Sequence, residues 1–389
     1  MESSVPDNEF RFFSGGLLHR ILCMVGLAHP GAAVVKSRVA FLILLTYVPL
    51  VGLSMYQGIA YGDQLHVPFL YDISEFCRFL IVGPLLIIAE VLVEPWLVQG
   101  VQYIREKLVP EDQMDQFENI IQRAVRLRDS VPIELVLLGL VFIWQWSDVY
   151  AQSLSVANTW HQLPSNHENS LAYYYYYYFA KPLIRFLWMR WLWRYVIWSL
   201  LLCRLPALHL KLMPSHPDRH AGLLFIAKCH QRFVVLAFVF GAQVAGIFAE
   251  RILHGGKTLF GLKNEMIGVV AVVQIIFMTP LLAFTGKLMN ANRQGFFEYS
   301  ELAGEYTTAL KKKWIESKKQ GDEILGTQDI QSLADIGNSF NVIAEMRTCL
   351  ISKQLVFAFA LAPLIPMLPL LLTVYPFDEL VNHLLKAIM

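Results

Sequence analysis

The chain has 389 residues, of which 56% are apolar and only 16% are charged, and its formal net charge is +1. A soluble domain carries about 25% charged residues, so this composition, with a mean hydropathy of +0.46, indicates an integral membrane protein. A net charge close to zero creates no basic field, and no nucleic-acid partner is expected. The five cysteines are scattered without a C-x-x-C pair, which argues against a disulfide framework or a zinc or iron–sulfur site. The sequence identifies no cofactor.

Apolar runs recur along the chain, each of about twenty residues, the length that an α-helix needs to cross the hydrocarbon core. They predict an all-α integral membrane protein with about seven transmembrane helices and cytoplasmic helical extensions. The predicted spans are Val39–Ile59, Phe79–Gln99, Val131–Tyr150, Tyr175–Leu202, Phe233–Arg251, Met266–Leu288 and Leu355–Tyr375.

Lysine and arginine concentrate in every second loop between these spans, and the 151–172 loop contains neither residue. The positive-inside rule therefore predicts a cytoplasmic N-terminus and an external C-terminus. The lipid bilayer is the expected partner, and a homo-oligomer is compatible with a pore between subunits. The predicted regions are a cytoplasmic amphipathic N-terminal segment (1–37), a six-span bundle (38–288) with a cytoplasmic helix (105–130) and loop (203–232), a cytoplasmic helical region (289–353), and the last span with an external C-terminus (354–389).

Charged residues inside two predicted spans are the first functional candidates, because a charge at the helix centre costs about 2.5–3.5 kcal/mol on insertion scales. Glu90 and Glu94 in the second span are four residues apart. Arg190 and Arg194 in the fourth span have the same spacing, and Arg185 precedes them. Residues at this spacing share one helix face. With a rise of about 1.5 Å per residue, the first residue of each pair lies roughly 16 Å from the outer end of its span. The sequence therefore predicts a buried charge ladder between the two helices.

Three interpretations of this ladder remain open. It either holds two helices together, or lines a hydrated conduit or anion-binding pocket, or is not buried at all. In the last case Arg194 extends its head group to the inner interface and Glu94 is exposed there. Glu134 and Asp148, near the two ends of the third span, are expected at the interfaces.

The loop after the fourth span contains His216, Asp218, Arg219 and His220, in a segment that two prolines and a glycine keep from being helical. Asp218 is positioned to accept the backbone amides of the following helix. Metal binding by the weak candidate ligands His216, Asp218 and His220 is the second alternative, and proton handling by the histidines is the third.

Two further patterns bear on the spans. Six tyrosines, Tyr173–Tyr178, open the fourth span and predict an interfacial aromatic belt, with a stacking surface for a ligand as the alternative. Pro363, Pro366 and Pro369 in the seventh span, and Pro280 in the sixth, predict kinked helices. Such kinks suit a pore or a carrier, but they also suit a static bundle.

Three motifs carry a resemblance to known sequences. They are Arg190-Trp-Leu-Trp-Arg194, Ser215-His-Pro-Asp-Arg-His-Ala-Gly-Leu223 and the Leu-Gly-Thr-Gln-Asp-Ile-Gln-Ser-Leu-Ala-Asp segment from Leu325. At these motifs the chain resembles a group of uncharacterised bacterial multi-pass inner-membrane proteins, over roughly residues 180–380. The group has two glycines after His-Pro-Asp-Arg-x, and here Ala221 replaces the first; if that position needs a positive φ, the loop is built differently. The resemblance implies a bacterial inner membrane and brings no activity, substrate or cofactor.

No P-loop, dinucleotide fingerprint, nucleophile elbow or H-E-x-x-H motif occurs, and whether the protein is an enzyme stays open. The sequence favours movement or sensing of a small ion or polar solute through a charged intramembrane site. The alternatives are a membrane enzyme acting on a phosphate-bearing lipid head group, and a scaffold or signalling subunit that works through residues 289–353. The expected pathway residues are Glu90, Glu94, Arg185, Arg190 and Arg194, and the expected cytoplasmic gate consists of His216, Asp218, Arg219 and His220.

Overall fold

A computed structural model describes residues 11, 12, 15, 23, 32–153, 159–165, 168–316 and 328–374, with backbone only at 32–33 and 148–153. Every regular element of these residues is helical, so the all-α fold is confirmed for them. The helices are α1 (Ala32–Tyr56), α2 (Ile73–Leu108), α3 (Met114–Arg128), α4 (Val131–Ser153), α5 (Leu171–Tyr175, Tyr176–Ala180 and Lys181–Arg204 in succession), α6 (Leu224–Leu253), α7 (Phe260–Glu316), α8 (Gln328–Ala344) and α9 (Lys353–Leu361 followed by Ile365–Thr373).

Four of these helices are long and apolar enough to cross a membrane: Val34–Tyr56 within α1, and the whole of α2, α6 and α7. The two halves of α9 make a fifth if they are counted as one span. A membrane protein is therefore supported, but the predicted number of seven spans is not confirmed. In α4 the residues described with their side chains include an apolar stretch of seventeen residues, Val131–Ser147, and α5 is more polar because of its tyrosines and its five cationic residues.

The predicted proline kink is confirmed in α9, whereas at Pro280 the structure shows a change of helix type. The two halves of α9 are bent by 44° at the break that contains Pro363. In α7 the segment Thr279–Phe284, which begins at the Thr-Pro pair, is a 3-10 turn between two α-helical stretches. Gly241 of α6 lies against the Pro363 backbone so closely that a methyl group there would overlap it. The bend in α9 and the glycine in α6 thus allow these two helices to approach each other.

The connections between helices meet alternately at two ends of the bundle. We call these the basic end (109–113, 205–223 and 345–352) and the tyrosine end (57–72, 159–165, 168–170 and 254–259). The joining contacts at the basic end are Lys211 N to Leu108 O and Arg347 N to Arg219 O, both 2.8 Å, and those at the tyrosine end are Trp160 N to Val67 O at 3.0 Å and the His66 and His254 rings at 5.9 Å. Both α4 and α5 therefore run from one end to the other. This alternation agrees with the predicted alternation of basic and non-basic loops.

Helix α5 lies at the centre of the bundle and contacts helices on several sides. Three aromatic side chains in its second half donate hydrogen bonds from their polar tips to backbone carbonyls of neighbouring helices. Trp191 Nε1 donates to Leu86 O of α2 at 2.9 Å, Trp193 Nε1 to Leu127 O of α3 at 3.1 Å, and Tyr195 Oη to Ile276 O of α7 at 2.8 Å. A buried indole or phenol without such a partner would cost about 1–3 kcal/mol. The aromatic run that dominates the sequence therefore serves packing.

Helix α7 continues without a break through position 288, where the sequence predicted the boundary between span and cytoplasmic region. Beyond that point Gly295 touches the Pro214 ring, and the Tyr299 hydroxyl is 2.9 Å from Ser215 Oγ. Asn292 Nδ2 donates to Ile343 O of α8 at 3.0 Å. The extension of α7 thus brings α8 and the 214–223 loop together at the basic end.

Candidate functional site

Helix α5 buries four cationic side chains at successive levels, which we call the cation column: Lys181, Arg185, Arg190 and Arg194. They expose only 4%, 9%, 6% and 5% of their surface. Thirteen residues separate the first from the last, so the column is roughly 20 Å long at about 1.5 Å per residue. A buried cation is tolerated only with counter-charges or hydrogen-bond acceptors nearby. The neighbours of each cation therefore decide what the column can do.

Arg190, near the middle of the column, faces Glu134 of α4. The distance from Arg190 Nε to Glu134 Oε1 is 3.8 Å, which is longer than a hydrogen bond, and both side chains are buried. Arg190 Nε has no hydrogen-bond partner among the described residues. The Glu134 side chain is buried inside the bundle, with 5% of its surface exposed. The guanidinium is charge-compensated but not fully hydrogen-bonded.

Glu90 and Glu94 of the predicted ladder act electrostatically on the arginines of α5, and charged residues of two other helices take part as well. The charges of Glu90 and Glu134 both act on Arg190, and those of Glu90 and Glu94 act on Arg194. Glu90 also pairs with Arg38 of α1 at 3.4 Å. The structure therefore brings the predicted residues into one region, and the ion pairs it forms there include α1 and α4 as well as α2 and α5.

Arg194 donates a hydrogen bond from Nη1 to the Phe12 carbonyl at 2.6 Å. Phe12 is 1% exposed, and its ring meets Trp198 edge-on at a centroid distance of 5.8 Å. Most of the predicted amphipathic segment 1–37 lies outside the described residues. At Phe12 this segment covers the Arg194 end of the cation column.

A second buried polar cluster, which the sequence did not predict, lies at the tyrosine end. Glu75 and Arg78 of α2 form an ion pair. The Tyr176 hydroxyl of α5 donates to Glu75 Oε1 at 2.6 Å and accepts from Arg78 Nη1 at 2.8 Å. The Lys181 ammonium lies 5.2 Å from the Tyr176 ring centroid. The other Glu75 oxygen is buried and has no partner among the described residues.

This tyrosine-end cluster occurs where two helices depart from regular α geometry. The segments Cys77–Val82 of α2 and Tyr176–Ala180 of α5 are both π-helical. Wider turns of this kind are frequent at functional sites, because they redirect side chains toward one another. The sequence features that could have indicated this cluster are the helical spacing of Glu75 and Arg78 and, elsewhere in the chain, the run of tyrosines. The predicted aromatic belt is thus only partly present: Tyr174 and Tyr178 are exposed, whereas Tyr176 is buried in the cluster.

Asp72 connects the cluster to the loops at the tyrosine end. Its carboxylate caps α2 by accepting from the Glu75 amide at 3.0 Å, and it accepts from Trp160 Nε1 at 2.9 Å. Burial, together with the negative charges of Glu75 and Glu250, raises the pKa of Asp72 to about 7. Burial also lowers the pKa of His161 to about 4, so this ring is neutral at pH 7. His161 stacks on Tyr176 at 5.7 Å.

An apolar cavity of about 430 Å³ lies beside α5, between α6 and α7. Aromatic and aliphatic side chains form most of its wall, and Leu192, Val272 and Ile276 on the wall are exposed on the bundle surface. The polar members of the lining include Arg78 of the cluster and Arg185 of the column. Arg185 also donates to Gln145 Oε1 at 2.6 Å. The cavity thus places two guanidinium groups beside an apolar space that begins at the bundle surface.

The 216–223 loop is organised by Asp218, and the predicted cap is confirmed. Asp218 Oδ1 accepts from the amides of His220 at 2.8 Å and Gly222 at 3.1 Å, and Oδ2 accepts from the Leu224 amide at the start of α6 at 3.0 Å. Burial opposes ionisation here, but these hydrogen bonds and that of His216 lower the pKa of Asp218. The described residues contain no group of three His, Cys, Asp or Glu arranged to hold a metal ion. The metal alternative for His216, Asp218 and His220 therefore has no geometric support.

Ala221 of this loop adopts the conformation that a glycine would. Its φ is +53°, and Arg219 and Gly222 also have positive φ values, of +57° and +88°. Ala221 thus accepts a left-handed backbone that disfavours a residue with a methyl group, at a cost of roughly 1–2 kcal/mol.

Fold and site together define a class of protein: a helical membrane bundle with a buried cation column on its central helix and a second charged cluster at one end. No family model, curated protein or solved structure matches the chain.

Proposed function

We propose that the protein moves or senses a small ion or polar solute through the cation column of α5. One observation carries the proposal: Arg190 is 6% exposed, lies 3.8 Å from its carboxylate partner and leaves Nε without a hydrogen-bond partner in the described structure. A purely structural ion pair would satisfy such a donor, because an unpaired buried charge is costly. An anion, or the water that accompanies it, would supply the missing acceptor.

The surrounding carboxylates give the site a means of control. Glu90 and Glu134 both act on Arg190. When both are ionised they neutralise the arginines and leave little attraction for another anion. Protonation of either would remove one negative charge and leave the guanidinium available. The proposed site therefore binds its anion together with a proton.

The proposal includes the topology predicted from the sequence: seven spans in a bacterial inner membrane, with a cytoplasmic N-terminus and an external C-terminus. It is supported by the alternation of connections between the basic end and the tyrosine end, and by α4 and α5, which join these ends. In this topology Phe12 closes the column from the cytoplasmic side, and the 216–223 loop lies at the same end. A homo-oligomer is compatible with it.

The test is ion flux into proteoliposomes, with trapped pyranine reporting protons and trapped lucigenin reporting chloride. Wild type is compared with Arg190→Gln and Glu134→Gln, and with the control Glu265→Gln, which alters an exposed glutamate that pairs with Arg251 at 2.6 Å. We expect Arg190→Gln to reduce flux at least tenfold while the control retains it. Equal flux in all four proteins, or a cryo-EM map with neither water nor ligand density beside Arg190, would contradict the proposal.

The cavity beside α5 favours a second function, the binding or processing of a phosphate-bearing lipid. Apolar walls suit an acyl chain, and Arg78 and Arg185 suit an anionic head group. An enzyme acting on that lipid would also need a base or a metal site, for which His216 and Asp218 are the candidates, but the Asp218 oxygens already accept three backbone amides. Native mass spectrometry distinguishes the two functions: anionic lipid retained by wild type and lost in Arg185→Gln, with no ion flux, would favour lipid binding.

A further inference from the structure

A separate polar pocket of about 230 Å³ lies at the basic end, between the 216–223 loop, α6 and the start of α9. Three cationic residues on its wall come from three different segments: Arg219 from the loop, Lys228 from α6 and Arg347 from the stretch before α9. All three are exposed to solvent. Cations that converge from separate segments without equal counter-charge create a local site for an anion.

Two acidic residues lie close to these three cations, but they do not neutralise the positive charge of the pocket. Asp218 lines the pocket, but both of its oxygens accept backbone amides of the loop. Glu345 pairs with Arg219 at 2.9 Å, yet both side chains are more than half exposed, at 53% and 58%. An exposed pair of this kind contributes at most about 1 kcal/mol, and a stronger ligand can displace it.

His220 supplies an independent indication of a ligand. The residue lines the pocket and is only 3% exposed. Its Nδ1 lies 2.7 Å from the Asp218 carbonyl, which can only accept, so Nδ1 carries the hydrogen. The other ring nitrogen, Nε2, is buried and has no partner among the described residues. A buried imidazole nitrogen left in this state calls for a hydrogen-bonding partner.

The amino end of α9 completes the pocket. Ser352 caps this helix by accepting from the Leu355 amide at 3.2 Å, and Ser352, Gln354 and Leu355 all line the pocket. The amino end of a helix carries a partial positive charge and unpaired amides, which stabilise anions. It therefore adds to the attraction of the three cations.

We infer that this pocket binds a phosphate group. Several negative oxygens in a tetrahedral arrangement match cations that approach from three directions, and guanidinium groups bind such oxygens bidentately. A hydrogen phosphate can also share a proton with His220 Nε2, which a halide cannot. The phosphate belongs either to a free anion or to a lipid head group. The inference does not rest on the proposed function of the cation column.

The first arm of the test uses the purified full-length protein in a maltoside detergent, with pyrophosphate as the probe. Binding is measured as the rise in thermal unfolding midpoint during a titration. The variants are Arg347→Gln and Lys228→Gln, and the matched control is Arg293→Gln, an exposed arginine of α7 outside the pocket. We expect wild type and control to respond alike, and the apparent Kd of each pocket variant to be at least tenfold weaker. Both variants change exposed side chains, and an unchanged midpoint without pyrophosphate establishes that they fold.

The second arm asks whether the phosphate belongs to a lipid. Protein from nanodiscs that contain phosphatidylglycerol is analysed by native mass spectrometry for retained lipid. Retention that is lost in Arg347→Gln and competed by pyrophosphate would identify the head group as the ligand, and a pyrophosphate response without retention would identify a free anion. If the pocket variants match Arg293→Gln in both arms, the inference is wrong.

Discussion

Two residues of the 216–223 loop, Arg219 and Ala221, have φ values of +57° and +53°. At Ala221 the methyl group makes this conformation unfavourable, and glycine would adopt it without strain. We expect Ala221→Gly to raise the free energy of unfolding by about 1 kcal/mol, after allowing for the greater freedom of glycine in the unfolded chain. The control is Ala227→Gly in helical α6, and its free energy of unfolding should fall by about 1 kcal/mol or more. Denaturant titration of both proteins measures the difference, and equal destabilisation would contradict the prediction.

Asp72 makes stability depend on pH in a specific direction. The folded protein keeps this carboxyl protonated up to a pKa of about 7, whereas its usual value is 3.8. Between these values the folded state binds more protons than the unfolded state, so stability falls as pH rises and levels off above pH 7. The slope due to Asp72 is at most about 1.4 kcal/mol per pH unit.

We therefore expect Asp72→Asn to flatten the decline in stability between pH 5 and pH 7, because the amide does not ionise. Asp63→Asn, which changes an exposed residue of the same loop, should leave the wild-type profile unchanged. The measurement is the unfolding midpoint of wild type and both variants across this pH range. A wild-type slope retained in Asp72→Asn would show that other groups cause it.

At the residue scale the sequence predicted the local interactions better than the distant ones. The Asp218 cap could be predicted because its partners follow within six residues. The pairing of Arg190 with Glu134 could not be predicted, because a long arginine side chain reaches well beyond its own level on the helix. Arg38 of α1 and Glu134 of α4 also form ion pairs in this region, and the spacing of charges within α2 and α5 indicates neither of them.

At the scale of elements, one hydroxyl group joins α2 and α5 at the tyrosine-end cluster. Tyr176 bonds both Glu75 and Arg78, and hydrogen bonds to charged groups contribute about 1.5–3 kcal/mol. We expect Tyr176→Phe to lower the free energy of unfolding by about 2 kcal/mol. Tyr178→Phe is the matched control, because the same substitution two residues later changes a side chain that is 64% exposed. Denaturation in mixed micelles compares them, and equal stabilities would exclude a structural role for the cluster.

The sequence predicted which helices exist more reliably than how far they extend. Proline positions predicted the bend of α9 and the 3-10 turn of α7, because proline removes a backbone donor at a fixed place. Nothing in the sequence predicted that α7 runs unbroken from Phe260 to Glu316. Its polar half pays no desolvation penalty outside the membrane, so a change in hydropathy need not end a helix. The π-helical segments Cys77–Val82 and Tyr176–Ala180 have different compositions, so no shared residue pattern predicts this geometry.

At the scale of the whole molecule, the arrangement of connections allows a direct test of sidedness. Lys257 lies in the connection between α6 and α7 at the tyrosine end, whereas Lys312 lies on the extension of α7 that leads away from it. Both residues are exposed. If the basic end is cytoplasmic, a membrane-impermeant maleimide added to intact cells will reach a cysteine at 257 but not one at 312.

The experiment requires a parent protein in which the five native cysteines are replaced by serine, because Cys23 and Cys203 are themselves exposed. We expect Lys257→Cys to be labelled in intact cells and Lys312→Cys only after permeabilisation. The reversed pattern would invert the topology, so that Phe12 would close the cation column from the outside and the phosphate pocket would face away from the cytoplasm. Labelling of both sites in intact cells would mean that α7 does not cross the membrane between them, and the column could not then connect two compartments.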